Sequence, residues 1–249
     1  MKLRVLSYNI HRAIGLDRRF RPDRITTVVM HHDVDVVLLQ EVDEGVPRSR
    51  ELDLAKELAL ALGHPHYAVG HNVSLRKGRY GNATLSRYPI LRERNIDLTI
   101  GKRKRRGCQH TTLEVGKTGG QPRHLEIFNL HLGLSARERS RQVGLLSRSR
   151  EFARLSDGVA CVVGGDFNDW RSLLRVFFVE GLGFRCATDR DTKRGPSGIK
   201  TYPSLSPQGS LDKLYYRGPL RMLSARSSRH RLTRIASDHL PIITDFELI

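Results

Sequence analysis

The sequence predicts an α+β fold: two sheets packed together, with helices on their outer faces. Three observations carry this. Short β-type runs recur from one end of the chain to the other, amphipathic stretches fall between only some of them, and the order lacks the strict βαβ alternation of a parallel sheet. The runs are Leu3–Tyr8, Val34–Leu39, Ala83–Ser86, Thr111–Val115, Leu125–Leu130, Val159–Val163, Leu211–Tyr216 and Ile242–Phe246. Several are rich in Val, Ile and Thr and are bounded by Gly, Pro or Asp, as strands are. Pro22 suits a first helical turn, with Ile25, Val28 and Val29 on one face. Leu52, Ala55, Leu58, Ala59 and Leu62 form a second stripe, stopped by Gly63. Further helical patterns run from Ala136 to Leu155 and from Ser172 to Glu180. No long linker, repeat or low-complexity tract interrupts the chain, so residues 1–249 are expected to form one domain.

Composition narrows the partners. Hydrophobic residues make up 39 % of the chain, enough for a sizeable core. Lys and Arg number 43 against 26 Asp and Glu, a net charge of +17. Such a surface attracts polyanions: nucleic acid, acidic lipid headgroups or phosphorylated small molecules. Two basic stretches, Lys102 to Arg106 and Arg226 to Arg234, read as solvated, mobile loops. Aromatic residues are only 6 %, so base stacking is not a prominent feature. Cys108, Cys161 and Cys186 are odd in number and widely spaced, which argues against a disulfide framework or a cysteine zinc site. The apolar stretch at the N-terminus is too short for a secretory core, and no window approaches the roughly 20 apolar residues of a membrane span. These features lead to the expectation of a cytoplasmic, monomeric protein.

Chemistry concentrates where strands end. Val34–Leu39 runs into Gln40-Glu41, and Val159–Val163 into Gly164-Gly165-Asp166-Phe167-Asn168-Asp169. Strand ends in a packed sandwich converge on one rim, so such acids can share a site. Clustered carboxylates repel one another, and a hard cation such as Mg²⁺ is their natural partner. Asp166 can orient or deprotonate a water, while the amide of Asn168 can donate to a phosphoryl oxygen; an Asx turn is the plainer reading of that spacing. His131 follows Leu125–Leu130, Asn9 and His11 follow the first strand, and Asp238-His239 precedes the last.

The stretches SYNIH, LLQEV, GNATLSRYPI, NLHLG, GGDFND, LDKLYYRG and SDHLPI together resemble the endonuclease/exonuclease/phosphatase superfamily, the deoxyribonuclease I-like enzymes, and among them its small bacterial members. They span residues 7 to 242 in the family's order. The resemblance implies a four-layered αββα sandwich of two mainly antiparallel sheets flanked by helices, with the site at one rim. It implies Glu41 as the main metal ligand, with Asn9 and Asp238 in the metal shell, and Mg²⁺ or Mn²⁺ as the ion. Asp166 resembles the residue that activates the attacking water, Asn168 its phosphate-binding neighbour, and His131 and His239 the histidines flanking the scissile phosphate. Asp212 resembles the acid that orients His239; an imidazole so held has a raised pKa and can stay protonated against the phosphate. There are departures. His11 stands where nuclease relatives often carry an acid, so the resemblance does not carry a second metal site. Asn82 stands where deoxyribonuclease I has a Glu, and it is expected to support His131 by a neutral hydrogen bond. Asn82, Arg105 and Arg106 complete the candidate site as substrate contacts.

The leading expectation is a metal-dependent phosphodiesterase acting on nucleic acid, DNA first. A phospholipid or small-phosphoester hydrolase docked on acidic membrane is the alternative within enzymes, and a silent nucleic-acid-binding module the alternative outside them. Steep salt dependence on long DNA but not on a small diester separates the first two. The near-complete set of site residues argues against the third.

Overall fold

Two six-stranded sheets organise the protein, here a computed structural model that describes residues 1–190 and 197–249. The first sheet holds β1 (Lys2–Asn9), β2 (Val36–Glu44), β3 (His66–Ser74), β4 (Arg79–Ser86), β13 (Leu220–Ser227) and β14 (Ile242–Leu248), ordered β13-β14-β1-β2-β4-β3. The second holds β5 (Ile90–Asp97), β6 (Gly107–Thr118), β7 (Gln121–His131), β8 (Ala160–Asp166), β9 (Arg185–Cys186) and β12 (Asp212–Arg217), ordered β5-β6-β7-β8-β12-β9. A small pair, β10 (Asp189–Arg190) and β11 (Ser197–Gly198), stands apart. Among the described pairings, β1–β2 and β7–β8 are parallel and the others antiparallel.

Period-two alternation sorts the apolar side chains into three cores. Leu3, Val5, Val36 and Leu38 of the first sheet meet Leu125, Ile127, Val162 and Leu214 of the second, forming the layer between the sheets. The alternate residues Leu6, Tyr8, Val37 and Leu39 face outward, onto Ile25, Val28 and Val29 of α1 (Pro22–Met30) and Leu54 and Leu58 of α2 (Leu54–Leu62). On the other side Phe128, Leu130, Cys161 and Val163 pack against Val143 and Leu146 of α3 (Ala136–Arg148) and Phe152 of α4 (Arg150–Ala153). Leu174 of α5 (Leu174–Val176) and Phe178 of the π-helical turn Phe177–Gly181 extend that core. Two outer cores and one inner core make the αββα sandwich expected from the resemblance.

Several boundaries differ from the sequence reading. Asp53, not Leu52, opens α2: its side chain accepts from Lys56 N at 3.1 Å, and Gly63 closes the helix at φ 66. The single helix expected from Ala136 to Leu155 is broken at Ser149, which takes extended backbone (φ −63, ψ 148) and caps α4 by accepting from Phe152 N. The Ser172–Glu180 pattern yields only α5 and the π-helical turn. Val34–Leu39 does not end at Leu39, since β2 continues through a bulge to Glu44. The stretch from Arg226 to Arg234 is not one mobile loop: Arg226 lies in β13, paired to Asp245 at 2.8 Å, and α6 (Thr233–Ala236) begins before Arg234. No described helix is long and apolar enough to cross a membrane.

Candidate active site

The alternation that builds the inner core also builds the site. Inward positions along β1 read Leu3, Val5, Ser7, Asn9; along β7, Leu125, Ile127, Asn129, His131; along β8, Ala160, Val162, Gly164, Asp166. Each strand passes from apolar side chains through small or amide ones to functional ones at the rim. In the middle tier Gln40 Nε2 donates to Asn129 Oδ1 at 2.8 Å, and Asn129 Nδ2 donates to the carbonyls of Leu39 at 3.1 Å and Ala83 at 2.9 Å. Asn82 Nδ2 donates to the carbonyls of Gly107 and Asn129, both at 3.1 Å. Asn82 therefore joins the two sheets and makes no hydrogen bond to His131, contrary to expectation: neighbouring backbone carbonyls take its donors. It still lines, with Glu41 and His131, a narrow cleft at the rim.

Register sets the top tier. His131 pairs with Asp166, and Asp166 with Asp212, across three adjacent strands. Gly165 lies at φ +139, and a Cβ there would stand 2.0 Å from the Leu130 carbonyl oxygen, so only glycine lets β8 lie against β7 at this point. His239 Nδ1 lies 2.9 Å from Asp212 Oδ2, which also accepts from Thr201 Oγ1 at 2.5 Å. His239 Nε2 lies 3.8 Å and His131 Nε2 3.4 Å from the same oxygen, Asp166 Oδ2. Asn9 Nδ2 donates to that oxygen at 3.0 Å, and Asp166 Oδ1 accepts from Asn168 N at 2.9 Å. The last contact is the Asx turn, so the turn and the functional placement of Asp166 coexist. Asn168 Nδ2 donates to the Leu132 carbonyl at 3.0 Å, which ties the Asp166 loop to the His131 loop.

Electrostatics separates the two histidines. Burial alone would lower the pKa of His239, but Asp212, Asp166 and Asp238 outweigh it and raise it. His131 goes the other way: burial first, then the positive charges of Arg106, His239 and Lys104, hold it well below the ordinary value. The expectation of a raised imidazole is met by His239, the one bonded to Asp212. Asp166 is raised, chiefly by burial and then by Asp212, although His239, Asn9 and Asn168 oppose the shift. Asp166, Asp212 and His239 form the described cluster with ligand atoms all within 4.8 Å of one another.

Glu41, Asn9 and Asp238 gather next to this cluster. Asn9 pairs in register with Gln40, one residue before Glu41, and Ser237 Oγ donates to the Asn9 carbonyl at 2.7 Å, drawing Asp238 alongside. Glu41 sits on the β2 bulge at φ 58, in the left-handed region, and not at a strand end. The bulge adds a residue and re-aims its side chain. Arg12, which the sequence reading passed over, places Nε 3.3 Å from Glu41 Oε2. His11, Arg12 and Ala13 all have positive φ, backbone strain of a kind that collects at functional sites. Thr201 and Ser237 were also missed. Arg12 directly follows the stretch SYNIH and Ser237 opens the stretch SDHLPI, which was a usable signal, whereas Thr201 carried none.

The basic run 102–106 reaches the rim. Arg105 and Arg106 line the same cleft as Glu41 and His131, with Tyr80 opposite. Arg106 is only 7 % exposed, and its Nε has no hydrogen-bond partner among the described residues. Lys104 Nζ lies 5.6 Å from the centre of the Tyr80 ring, and Arg103 pairs with Glu138 at 3.2 Å.

The sequence model of the Endonuclease/Exonuclease/phosphatase family matches residues 6–239. The chain belongs to this family. Its match takes in all the site residues just described, from Asn9 to His239. The Escherichia coli (strain K12) uncharacterized protein YbhP is 28 % identical over 261 residues, covering 98 % of this chain and 96 % of that protein. The human Nocturnin catalytic domain with bound sulfate anion superposes with a TM-score of 0.76 at 22 % identity, covering 100 % of this chain and 94 % of that one. The Bacteroides thetaiotaomicron mannosyl-6-phosphatase Bt3783 does so with a TM-score of 0.72 at 18 % identity, covering 98 % of this chain and 99 % of that one. At these identities the two structures share the family fold with this chain.

Proposed function

We propose that this family member is a divalent-metal-dependent phosphodiesterase whose substrate is nucleic acid, DNA first. The observation that carries the reading is the convergence of His131 Nε2 and His239 Nε2 on Asp166 Oδ2, with Asp212 behind His239. A phosphate placed against the two imidazoles has a carboxylate beside it that can orient a water. Asp166 takes the water's proton as its oxygen attacks phosphorus. The bond to the leaving oxygen breaks, and that oxygen is protonated from solvent. His239, kept cationic by Asp212, neutralises charge developing on the phosphoryl oxygens.

The residues present fit a hard cation. Glu41, Asn9 and Asp238 offer two carboxylates and an amide oxygen, the donors Mg²⁺ or Mn²⁺ takes while keeping several waters. Asp212 Oδ1, buried without a hydrogen-bond partner among the described residues, adds negative potential to the same rim. When bound, the metal polarises the phosphoryl group. Support for nucleic acid comes from Arg105 and Arg106 in the cleft and from the net charge of +17. A phospholipid diester at an acidic membrane is the second reading, favoured by Leu134, Leu173 and Leu205, exposed on loops that follow or adjoin the site. The test is a screen of purified protein with Mg²⁺ or Mn²⁺ against supercoiled DNA, RNA, phospholipids and inositol phosphates. Cleavage of DNA or RNA that chelator abolishes is the expected result; turnover of phospholipid alone would move the assignment to the second reading.

A further inference from the structure

Trp170, the only tryptophan of the chain, directly follows the Asp166-Phe167-Asn168-Asp169 loop and is 53 % exposed. Its ring meets Tyr202 edge-on, with centroids 5.5 Å apart, and Tyr202 in turn lies 5.1 Å from the His239 ring. The three rings form a continuous wall that begins at the histidine expected to face the phosphate. The wall is firmly seated. A Cβ on Gly209 would stand 2.6 Å from Trp170 Cζ3, so the indole lies directly over that glycine. Tyr202 and Gly209 exchange backbone hydrogen bonds at 3.1 and 2.7 Å. The same loop is tied to the catalytic residues, through Thr201 Oγ1 to Asp212 and Ser204 N to the Asp238 carbonyl at 2.8 Å. A membrane anchor is best placed on a free-standing loop; these rings are fixed to one another and to the site. An open aromatic face held beside a scissile phosphate is the chemistry that receives a planar base.

We infer that the exposed face of Trp170, braced edge-on by Tyr202, forms a stacking platform for an unpaired nucleobase of the nucleotide flanking the scissile phosphate. This rests on, and sharpens, the nucleic-acid reading above. The test uses the full chain in chelator, so that binding is read without hydrolysis. A single-stranded thymidine oligonucleotide is compared with one of equal length whose nucleotides are replaced by abasic tetrahydrofuran units. Trp170 fluorescence reports on the platform directly, and anisotropy of a labelled strand gives affinity. The expected result is quenching by the base-bearing strand only, with an affinity advantage of about tenfold or more over the abasic strand. That ratio should fall towards one in Trp170→Ala and be partly kept in Trp170→Phe. Equal quenching and equal affinity for the two strands, or an unchanged ratio in Trp170→Ala, would overturn the platform while leaving a phosphodiester site intact. Failure to bind either strand would overturn the nucleic-acid reading as well. A blue shift of Trp170 on phosphatidylglycerol vesicles, with no response to either strand, would reassign the wall to a lipid surface.

Discussion

Asp212 and His239 share a buried hydrogen bond of 2.9 Å, which under the proposed function keeps a cation against the phosphate. Removing either member disables the same unit, so Asp212→Asn and His239→Gln should each lower kcat severely, and the double variant should be little worse than either single one. A double-mutant cycle on a small chromogenic diester measures this; losses that add in the logarithm would separate the pair. Glu41→Gln keeps shape and removes charge, and it should lower activity by at least about a hundredfold. Calorimetric titration with Mn²⁺ should show weakened metal binding in the same variant, and full activity in chelator would remove Glu41 from the metal role altogether. Most of these residues were legible because each stands in a short motif at a strand end. Their partners were less so. Arg12 reaches Glu41 only because three successive residues take positive φ, and Thr201 reaches Asp212 from a loop with no distinguishing composition.

The strands tell a related story. The interior runs of both sheets were readable as Val-, Ile- and Leu-rich segments. The named strands that were not, β3, β5, β9 and β13, are the four edges of the two sheets, and the short pair β10–β11 lies outside both. Edge strands have one side without a neighbour and carry polar or charged residues that blunt pairing, which erases the apolar signal. In β5, Arg92, Glu93, Arg94 and Asn95 are all exposed. Helix ends were blurred for a similar local reason, since Ser149 and Asp53 act as caps inside or beside otherwise helical patterns. Between the sheets, Asn129 is the busiest link, donating to Leu39 and Ala83 and accepting from Gln40. Asn129→Leu fills similar space but takes from Gln40 Nε2 its shortest acceptor and from the Leu39 and Ala83 carbonyls a buried donor. It should cost about 3 kcal/mol or more, read from urea unfolding. A loss below about 1 kcal/mol would mean that water replaces the missing bonds.

Charge and protonation act on the molecule as a whole. If Arg105 and Arg106 each contact a phosphate, neutralising both should weaken DNA binding and flatten its salt dependence by about two units of logarithmic slope. An unchanged slope would leave the cleft without a phosphate-binding role. Because Arg106 stands beside His131, turnover of a small diester should fall as well in that variant. Stability should depend on pH through His32, whose pKa drops from 6.5 to about 4, first by burial and then by the neighbouring positive charges of His31 and Arg226. Burial lowers His64 too. Between about pH 6.5 and 4 the unfolded chain takes up protons that the folded chain refuses, so stability falls as pH falls through that window. Thermal unfolding of His32→Gln should show a shallower loss over the same range, and identical profiles would exclude His32 as a source. The low aromatic content says how many rings there are and not where they stand, and Trp170, Tyr202 and His239 stand in contact.

β14 lies between β13 and β1, so strands far apart in the sequence are neighbours in the sheet. Asp238 and His239 come just before β14, and Asn9 is the last residue of β1. The histidine and the acid that precede β14 therefore reach the rim only once this strand docks on β1. Until it docks, β1 is paired on its β2 side only, and its other edge is open to mispairing. Assembly of the candidate site thus coincides with closure of this sheet, so a variant that weakens the docking of β14 on β1 disturbs the fold and the rim together.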